Sequence, residues 1–157
     1  MIKIIFVCTG NVFRSMIAEK CLKHYIKENN ITEIKVDSAW IAPIEQEIYP
    51  SVIERLASYN IQVEHQYKKI TQTLIDDSTI IISMNNNHKD FIAENFWINS
   101  PLFNMIAFWI EKWILDINEF FTVFDEKDKK EYANYMVEYI HSATPKLVKN
   151  LHKYINQ

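Results

Sequence analysis

One stretch near the N-terminus constrains the fold more than any other, because an apolar run leads directly into a cysteine and then into a helix start. Residues 4–7 are all apolar and predict a buried strand. Apolar residues at helical spacing from Ile17 onward predict a helix that begins near Arg14. The connection between them, residues 8–13, holds the only glycine of the chain, Gly10. A strand, a tight loop and a helix are therefore the predicted start of the fold.

This connection has the composition of an anion-binding loop. A helix N-terminus presents unpaired N–H groups and the positive end of the helix dipole, and a glycine permits positive φ or close backbone approach. The same surroundings favour the thiolate form of a nearby cysteine. The order Cys-x5-Arg places a nucleophile, Cys8, at one end and a permanent planar cation, Arg14, at the other. We interpret the loop as a site that binds and attacks a phosphate; the alternative is an inert buried cysteine and a solvated arginine.

At these residues the sequence resembles the low-molecular-weight protein tyrosine phosphatases, whose signature is Val-Cys-x-Gly-Asn-x-Cys-Arg-Ser-Pro. This chain reads Val-Cys-Thr-Gly-Asn-Val-Phe-Arg-Ser-Met over residues 7–16. Phe13 replaces the second cysteine of the signature, which removes the usual partner for a protective disulfide. Met16 replaces the proline at the helix start, a preferred residue there. Neither change affects the nucleophile or the arginine.

The resemblance implies a reaction through a phosphocysteine. Cys8 would attack phosphorus, Arg14 would grip two oxygens, and Ser15 would hydrogen-bond the thiolate. Asn11 would hold the loop conformation, because asparagine tolerates left-handed φ and its side chain can bond to nearby backbone. The predicted phosphate-binding residues of the loop are Thr9, Gly10, Asn11, Val12, Phe13, Arg14 and Ser15.

Three further candidate residues lie at or just after the end of a second predicted strand, residues 34–38. Ser38 is similar in position to the family serine that hydrogen-bonds the loop asparagine. The family places substrate-facing residues in the loop after this strand, so the resemblance makes Trp40 and Ile41 candidates for the wall of the substrate cleft. The alternatives are an ordinary polar strand end and a buried tryptophan.

The proton donor for the leaving group is harder to locate. The family supplies an aspartate from an Asp-Pro dipeptide before its last helix, and this chain contains no Asp-Pro. Asp125 is the first candidate because it lies shortly ahead of the last predicted helix, and Asp116 is the second. Both are also compatible with ordinary solvated loop carboxylates.

Strands and helices alternate along the rest of the chain. The β-branched run at 78–84 predicts a strand buried on both faces, and helices are expected from Pro50, after Thr71 and over 87–95. This pattern predicts one domain over residues 1–157: a three-layer α/β/α fold with a central parallel sheet and the phosphate loop between the first strand and first helix. A last strand is expected near 103–108, then a helix from Lys129 to His141 with a kink or second helix at Pro145.

Composition excludes several classes of function. The 17 Lys and Arg against 20 Asp and Glu give a formal net charge of −3 without a long basic run, which argues against nucleic acid. Only two cysteines occur, Cys8 and Cys21, which fits a reducing, cytoplasmic location. No apolar run reaches the roughly 18 residues of a membrane span. The five histidines show no zinc-like spacing, so neither a metal nor a cofactor is expected.

We therefore expect a cytoplasmic protein tyrosine phosphatase that hydrolyses phosphotyrosine or small aryl phosphates, as a monomer or weak dimer. The alternative is a phosphate-binding pseudo-phosphatase that has lost its proton donor. An arsenate-handling relative is a further alternative, which the lack of additional cysteines for electron relay disfavours.

Overall fold

A parallel three-stranded sheet forms the centre of the fold. The computed structural model describes residues 1–44, 47–77, 79–114 and 125–157. Its strands are β1 (Ile2–Cys8), β2 (Ile34–Trp40) and β3 (Thr79–Ser83), in the order β2-β1-β3. Both neighbours of β1 run parallel to it, so the carboxyl ends of the three strands meet at one edge of the sheet.

Helices follow each strand. The described α-helices are α1 (Arg14–Glu28), α2 (Pro50–Ala57), α3 (Asn86–Phe96), α4 (Phe103–Phe108) and α5 (Glu126–Ile155), with a short 3₁₀ helix at Gln72–Leu74. The helix predicted to begin near Arg14 is confirmed, as are those at Pro50 and after Thr71 and the helix that follows β3. None of the helices in the described ranges is both long and apolar enough to cross a membrane.

Residues of β1 alternate between two hydrophobic cores. Ile4 and Phe6 pack into the larger core, with buried residues of α1, α2, α4 and α5. Ile5 and Val7 face the opposite side of the sheet, where Ile92 of α3 belongs to a smaller core. A strand buried on both faces explains why residues 4–7 are continuously apolar. The predicted three-layer α/β/α class is confirmed.

The strand expected near residues 103–108 is wrong, because this segment is the helix α4. Phe103, Ile106 and Ala107 are buried at helical spacing and belong to the larger core, as do the buried residues of α5. Only an isolated bridge between Ser83 and Leu102 precedes the helix. Six mostly apolar residues fit either element, and packing against α5 selects the helix.

The second helix that was one alternative at Pro145 is not found, because α5 runs as one helix of 30 residues through that position. Pro145 is exposed, and it lacks the N–H that would donate to the carbonyl four residues earlier. Ala143, Thr144 and Leu147 around it are buried, and Thr144 Oγ1 donates to the Ile140 carbonyl at 2.8 Å. Burial of this face keeps the helix continuous.

Candidate active site

The phosphate loop, residues 8–15, lies at the carboxyl edge of the sheet. Cys8 is the last residue of β1, and Arg14 is the first residue of α1. Both side chains are enclosed, with Cys8 and Arg14 each 3 % exposed. A buried cysteine and a buried guanidinium therefore belong to the same short loop.

The backbone of the loop turns at Asn11, not at Gly10. Asn11 has a φ of 59°, while the single glycine does not have positive φ. A Cβ on Gly10 would lie 2.1 Å from two carbons of the Ile44 side chain. The glycine is therefore needed because a side chain at this position would collide with Ile44. The left-handed backbone conformation falls to Asn11, since asparagine adopts it more readily than most residues other than glycine.

Asn11 also directs the hydroxyl group beside the nucleophile. Its Nδ2 donates to Ser15 Oγ at 2.9 Å and to Ser38 Oγ at 2.8 Å. Cys8 Sγ lies 2.9 Å from Ser15 Oγ. Because the Ser15 oxygen already accepts from Asn11, its own proton is available to donate to the sulfur, which stabilises a thiolate.

A buried carboxylate anchors this network from α1. Ser38 Oγ donates to Glu19, whose other oxygen contacts Lys23 Nζ at 2.5 Å and Lys20 Nζ at 3.2 Å. Burial by itself raises the pKa of Glu19, but the hydrogen bonds from Lys23 and Ser38 and the charge of Lys20 outweigh it and hold the pKa below its ordinary value. Glu19 is thus an ionised acceptor at the end of the chain Cys8–Ser15–Asn11–Ser38.

A histidine contacts the loop next to Glu19, with His65 Nδ1 3.7 Å from Glu19 Oε2. His65 Nε2 lies 2.8 Å from the Asn11 carbonyl oxygen and 3.1 Å from Asn11 Oδ1. Since both partners are acceptors, Nε2 carries the donated proton. Burial lowers the pKa of His65, although the Asn11 carbonyl and the charge of Glu19 act in the opposite direction. Asn11 is thereby held by both its backbone and its side chain.

A second histidine reaches the loop from α3. His88 is fully buried, and its Nε2 lies 3.0 Å from Thr9 Oγ1. Burial, with a smaller contribution from the Arg14 charge, lowers the pKa of His88 to about 3. The imidazole beside the loop is therefore neutral at ordinary pH.

The side chains of Val12 and Phe13 pack into the interior of the protein. Val12 and Phe13 belong to the larger core, so only their backbone is left to bind an anion. The Phe13 ring contacts the rings of Tyr49 and Tyr132, with centroids 4.5 and 5.8 Å away. Arg14 Nη1 donates to the Ile114 carbonyl at 3.2 Å. The position of the missing second cysteine is thus filled by aromatic packing.

Trp40 belongs to β2 rather than to the loop after it, so that strand is two residues longer than expected. It pairs with Cys8 in the sheet register, which brings its backbone beside the nucleophile. Its ring is half-buried, and Lys69 Nζ lies 5.9 Å from the ring centroid. Ile44, which lies over Gly10 and is exposed, is a further residue beside the loop that the sequence did not indicate.

The first candidate proton donor has a structural role. Asp125 is the N-cap of α5, and its carboxylate accepts the backbone N–H of Asp128 at 2.8 Å. A side-chain oxygen at the N-cap satisfies a backbone N–H of the first helical turn, so this carboxylate stabilises the start of α5. Asp116, the second candidate, lies outside the described residues. Within the described ranges, no cluster of three His, Cys, Asp or Glu side chains could hold a metal ion.

Glu19, His65 and His88 are site residues that sequence reasoning missed as well. Glu19 lies on the helix predicted after the loop, on a face that also carries the polar residues Ser15 and Lys23, so the pattern along this helix does not mark it as buried. The spacing of the histidines along the chain can indicate a zinc site, but it carries no information about hydrogen bonds to a loop. Their distance in sequence from Thr9 and Asn11 removes any local signal.

The fold and this site together define a class of α/β proteins that hold a cysteine in an anion-binding loop between the first strand and the first helix. Residues 3–157 match the model of the family described as low molecular weight phosphotyrosine protein phosphatase. The chain belongs to this family.

Individual relatives include two kinds of phosphatase. The chain is 34 % identical over 94 residues to a protein-arginine-phosphatase of Bacillus subtilis, covering 59 % of this chain and 62 % of that protein. It is 27 % identical over 111 residues to the low molecular weight protein-tyrosine-phosphatase PtpA of Staphylococcus aureus, covering 69 % and 71 %. The match to the arginine phosphatase thus spans less than two thirds of its length.

Solved structures share the fold over nearly the whole chain. A YwlE mutant from Bacillus subtilis aligns with a TM-score of 0.81 at 22 % identity, covering 97 % of this chain and 99 % of the other. The YwlE arginine phosphatase from Geobacillus stearothermophilus aligns with a TM-score of 0.78 at 22 % identity, covering 98 % and 95 %. At this identity the likeness concerns the fold alone.

Proposed function

We propose that this protein is a cysteine-dependent phosphatase that removes phosphoryl groups from phosphorylated proteins. The observation that carries the proposal is the 2.9 Å contact between Cys8 Sγ and Ser15 Oγ, in a loop that also ends at the buried Arg14 guanidinium. A hydroxyl directed at a sulfur and a cation at the end of the same short loop are the surroundings of a reactive thiolate, not of an inert core cysteine. Membership of a phosphatase family supports the same reaction.

The reaction consists of two displacements at phosphorus. The Cys8 thiolate attacks, so an S–P bond forms as the bond to the leaving group breaks and a carboxylic acid protonates that group. Arg14 and the loop amides bind the equatorial oxygens. Water then attacks the phosphocysteine, inorganic phosphate is released, and the Ser15 hydroxyl stabilises the returning thiolate.

Phosphotyrosine is the first candidate substrate, and phosphoarginine is the second. Relatives named PtpA tyrosine phosphatase favour the first, and relatives named protein-arginine-phosphatase favour the second. The two substrates differ in the bond that breaks, P–O or P–N, and in the group that must take a proton. A matched pair of peptides, alike except for the phosphorylated residue, separates them by kcat/KM.

The first experiment measures hydrolysis of p-nitrophenyl phosphate without added metal. Turnover is expected in wild type and in the presence of EDTA, and its loss is expected in Cys8→Ser. Activity retained by Cys8→Ser, or abolished by EDTA, would overturn the proposal. Wild type that binds phosphate but hydrolyses neither the phenyl ester nor either peptide would instead favour the phosphate-binding module without turnover.

The general acid is the carboxyl group to be assigned by mutation. Asp125 and Asp116 remain the first and second candidates, and the helix-capping contact of Asp125 competes with proton donation. Glu119 is a third carboxylic acid of the same region, three residues after Asp116. We include it because glutamic acid can supply the same proton.

Conservative amide variants distinguish the three carboxyl groups. Asp125→Asn keeps the cap, because asparagine is as good an N-cap as aspartate, and removes only the acid. The variant of the true donor should lower turnover of phosphotyrosine by about 10²–10⁴-fold, and turnover of p-nitrophenyl phosphate much less. Inhibition by vanadate should persist in that variant. If Asp116→Asn or Glu119→Gln alone shows this pattern, the assignment to Asp125 is wrong.

A further inference from the structure

His88 contacts the phosphate loop from a distant part of the chain, and the reaction described above gives it no role. It occupies the third position of α3 and forms a capping box with Asn85. The Asn85 backbone N–H donates to His88 Nδ1 at 3.2 Å, and the His88 backbone N–H donates to Asn85 Oδ1 at 3.0 Å. The ring is fully buried, so its orientation is set by these contacts and by Thr9.

The cap determines which ring nitrogen carries the proton. Because Nδ1 accepts the Asn85 N–H, a neutral imidazole must carry its proton on Nε2. A charged ring would place an N–H on Nδ1 against the Asn85 N–H, and burial next to Arg14 disfavours that form as well. Nε2–H therefore donates to Thr9 Oγ1 across 3.0 Å.

Thr9 follows the nucleophile directly, and it is held at two points. Its carbonyl oxygen accepts the N–H groups of Ile41 and Ala42, each at 3.1 Å, and its hydroxyl oxygen accepts from His88. Because the Thr9 hydroxyl oxygen accepts a hydrogen bond from His88, the Thr9 hydroxyl proton is available to donate to another acceptor. Thr9 is only partly buried, so this proton can reach a ligand in the loop.

We propose that His88 is a positioning residue that orients the Thr9 hydroxyl as an additional hydrogen-bond donor to the anion bound in the phosphate loop. The proposal rests on the proposed function, because it names the loop's ligand as a phosphoryl group. Thr9 touches the ligand, and His88 acts through Thr9. The loop then binds phosphate with a side-chain hydroxyl besides its amides and Arg14.

Inorganic phosphate binding, measured by calorimetry, tests this role without requiring turnover. Thr9→Val keeps the side-chain size and removes the hydroxyl. His88→Asn keeps an acceptor near the Nδ1 position for the Asn85 N–H but is too short to reach Thr9. Each variant should weaken phosphate binding by about three- to tenfold, the effect of one hydrogen bond. The double variant should bind phosphate no more weakly than the weaker-binding of the two single variants, because both substitutions remove the same hydrogen bond to phosphate.

Two further variants separate positioning from helix capping. His88→Gln can reach Thr9 with its amide and should retain affinity within about twofold of wild type. Asn85→Ala breaks the cap while leaving the ring contact with Thr9, and its phosphate affinity should match wild type. An equal loss in Asn85→Ala, multiplicative losses in the double variant, or single variants within twofold of wild type would each overturn the proposal.

A spectroscopic measurement reads the contact itself. In ¹⁵N-labelled protein at pH 7, the His88 ring should show an unprotonated Nδ1 and a slowly exchanging Nε2–H whose shift changes on adding phosphate and in Thr9→Val. A proton on Nδ1 would refute the orientation. Wild type that binds phosphate without turnover would overturn the phosphatase proposal alone, whereas wild type that binds no phosphate would overturn both.

Discussion

Replacing Glu19 with glutamine is expected to destabilise the protein through charge, because the two side chains have nearly the same shape. Glu19 is buried and is contacted by Lys20 and Lys23, and its second oxygen accepts from Ser38. Glutamine can still accept the Ser38 hydroxyl but cannot neutralise two ammonium groups. The loss in free energy of unfolding therefore depends on how exposed each lysine is to water.

The two lysines differ greatly in exposure. The Lys20 side chain is 10 % exposed, while that of Lys23 is 48 % exposed. Removing one partner of a buried ion pair costs about 3–5 kcal/mol, and an exposed i,i+4 pair contributes about 0.3–0.5 kcal/mol. In the variant Lys20 would still donate to the Glu64 carbonyl, 2.8 Å away. We therefore expect a loss near the lower end of the 3–5 kcal/mol range, about 3 kcal/mol. A loss of about 3 kcal/mol corresponds to roughly 6–12 °C in Tm for a chain of this size.

Thermal and urea unfolding at pH 7 measure this loss, with Lys23→Met as the control for the exposed pair. Adding Lys20→Met to Glu19→Gln should restore most of the stability, since it removes the unpaired buried charge. Because the pKa of Glu19 is lowered by folding, its contribution is present above the unfolded value of about 4.5 and is lost as pH falls through the folded pKa. A Tm change under about 2 °C, or no recovery in the double variant, would refute the charge argument.

Three further outcomes follow from the site and the fold. Ser15→Ala should lower kcat for p-nitrophenyl phosphate by roughly 10–100-fold, since one hydrogen bond to a charged sulfur is lost; unchanged kcat would contradict the role. Peroxide should inactivate the protein by oxidising Cys8, and added thiols should restore little activity, because Phe13 replaces the second cysteine with which Cys8 could form a disulfide. A Cys8–Cys21 disulfide in mass spectra would contradict this. Pro145→Ala should raise Tm by several degrees as α5 regains a hydrogen bond; a lower Tm would count against a continuous helix.

The loop between β1 and α1 was predictable because its signals are local. Residues 4–7 are buried on both faces and therefore continuously apolar, and the helical spacing after Arg14 reports the face that α1 buries. Family membership follows from the same residues and is confirmed over 3–157. Asn11 and Ser38, paired through an implied hydrogen bond, are indeed in contact at 2.8 Å.

Predictions failed where a short pattern had more than one packing solution. Residues 103–108 are apolar enough for a strand or a helix, and contact with α5 decides for the helix. Pro145 normally interrupts a helix, yet the buried residues on both sides of it hold α5 continuous. In each case tertiary burial outweighed the local preference.

The sequence by itself determined the cysteine and the arginine of the proposed site and the strand–loop–helix that joins them, because these residues are close neighbours along the chain. The tertiary structure decided the support of that loop. His65 and His88 lie 54 and 79 residues from their partners Asn11 and Thr9, and the parallel sheet brings them to one edge. Hydrogen bonds require atoms within about 3 Å, a condition that spacing along the chain does not encode for residues so far apart.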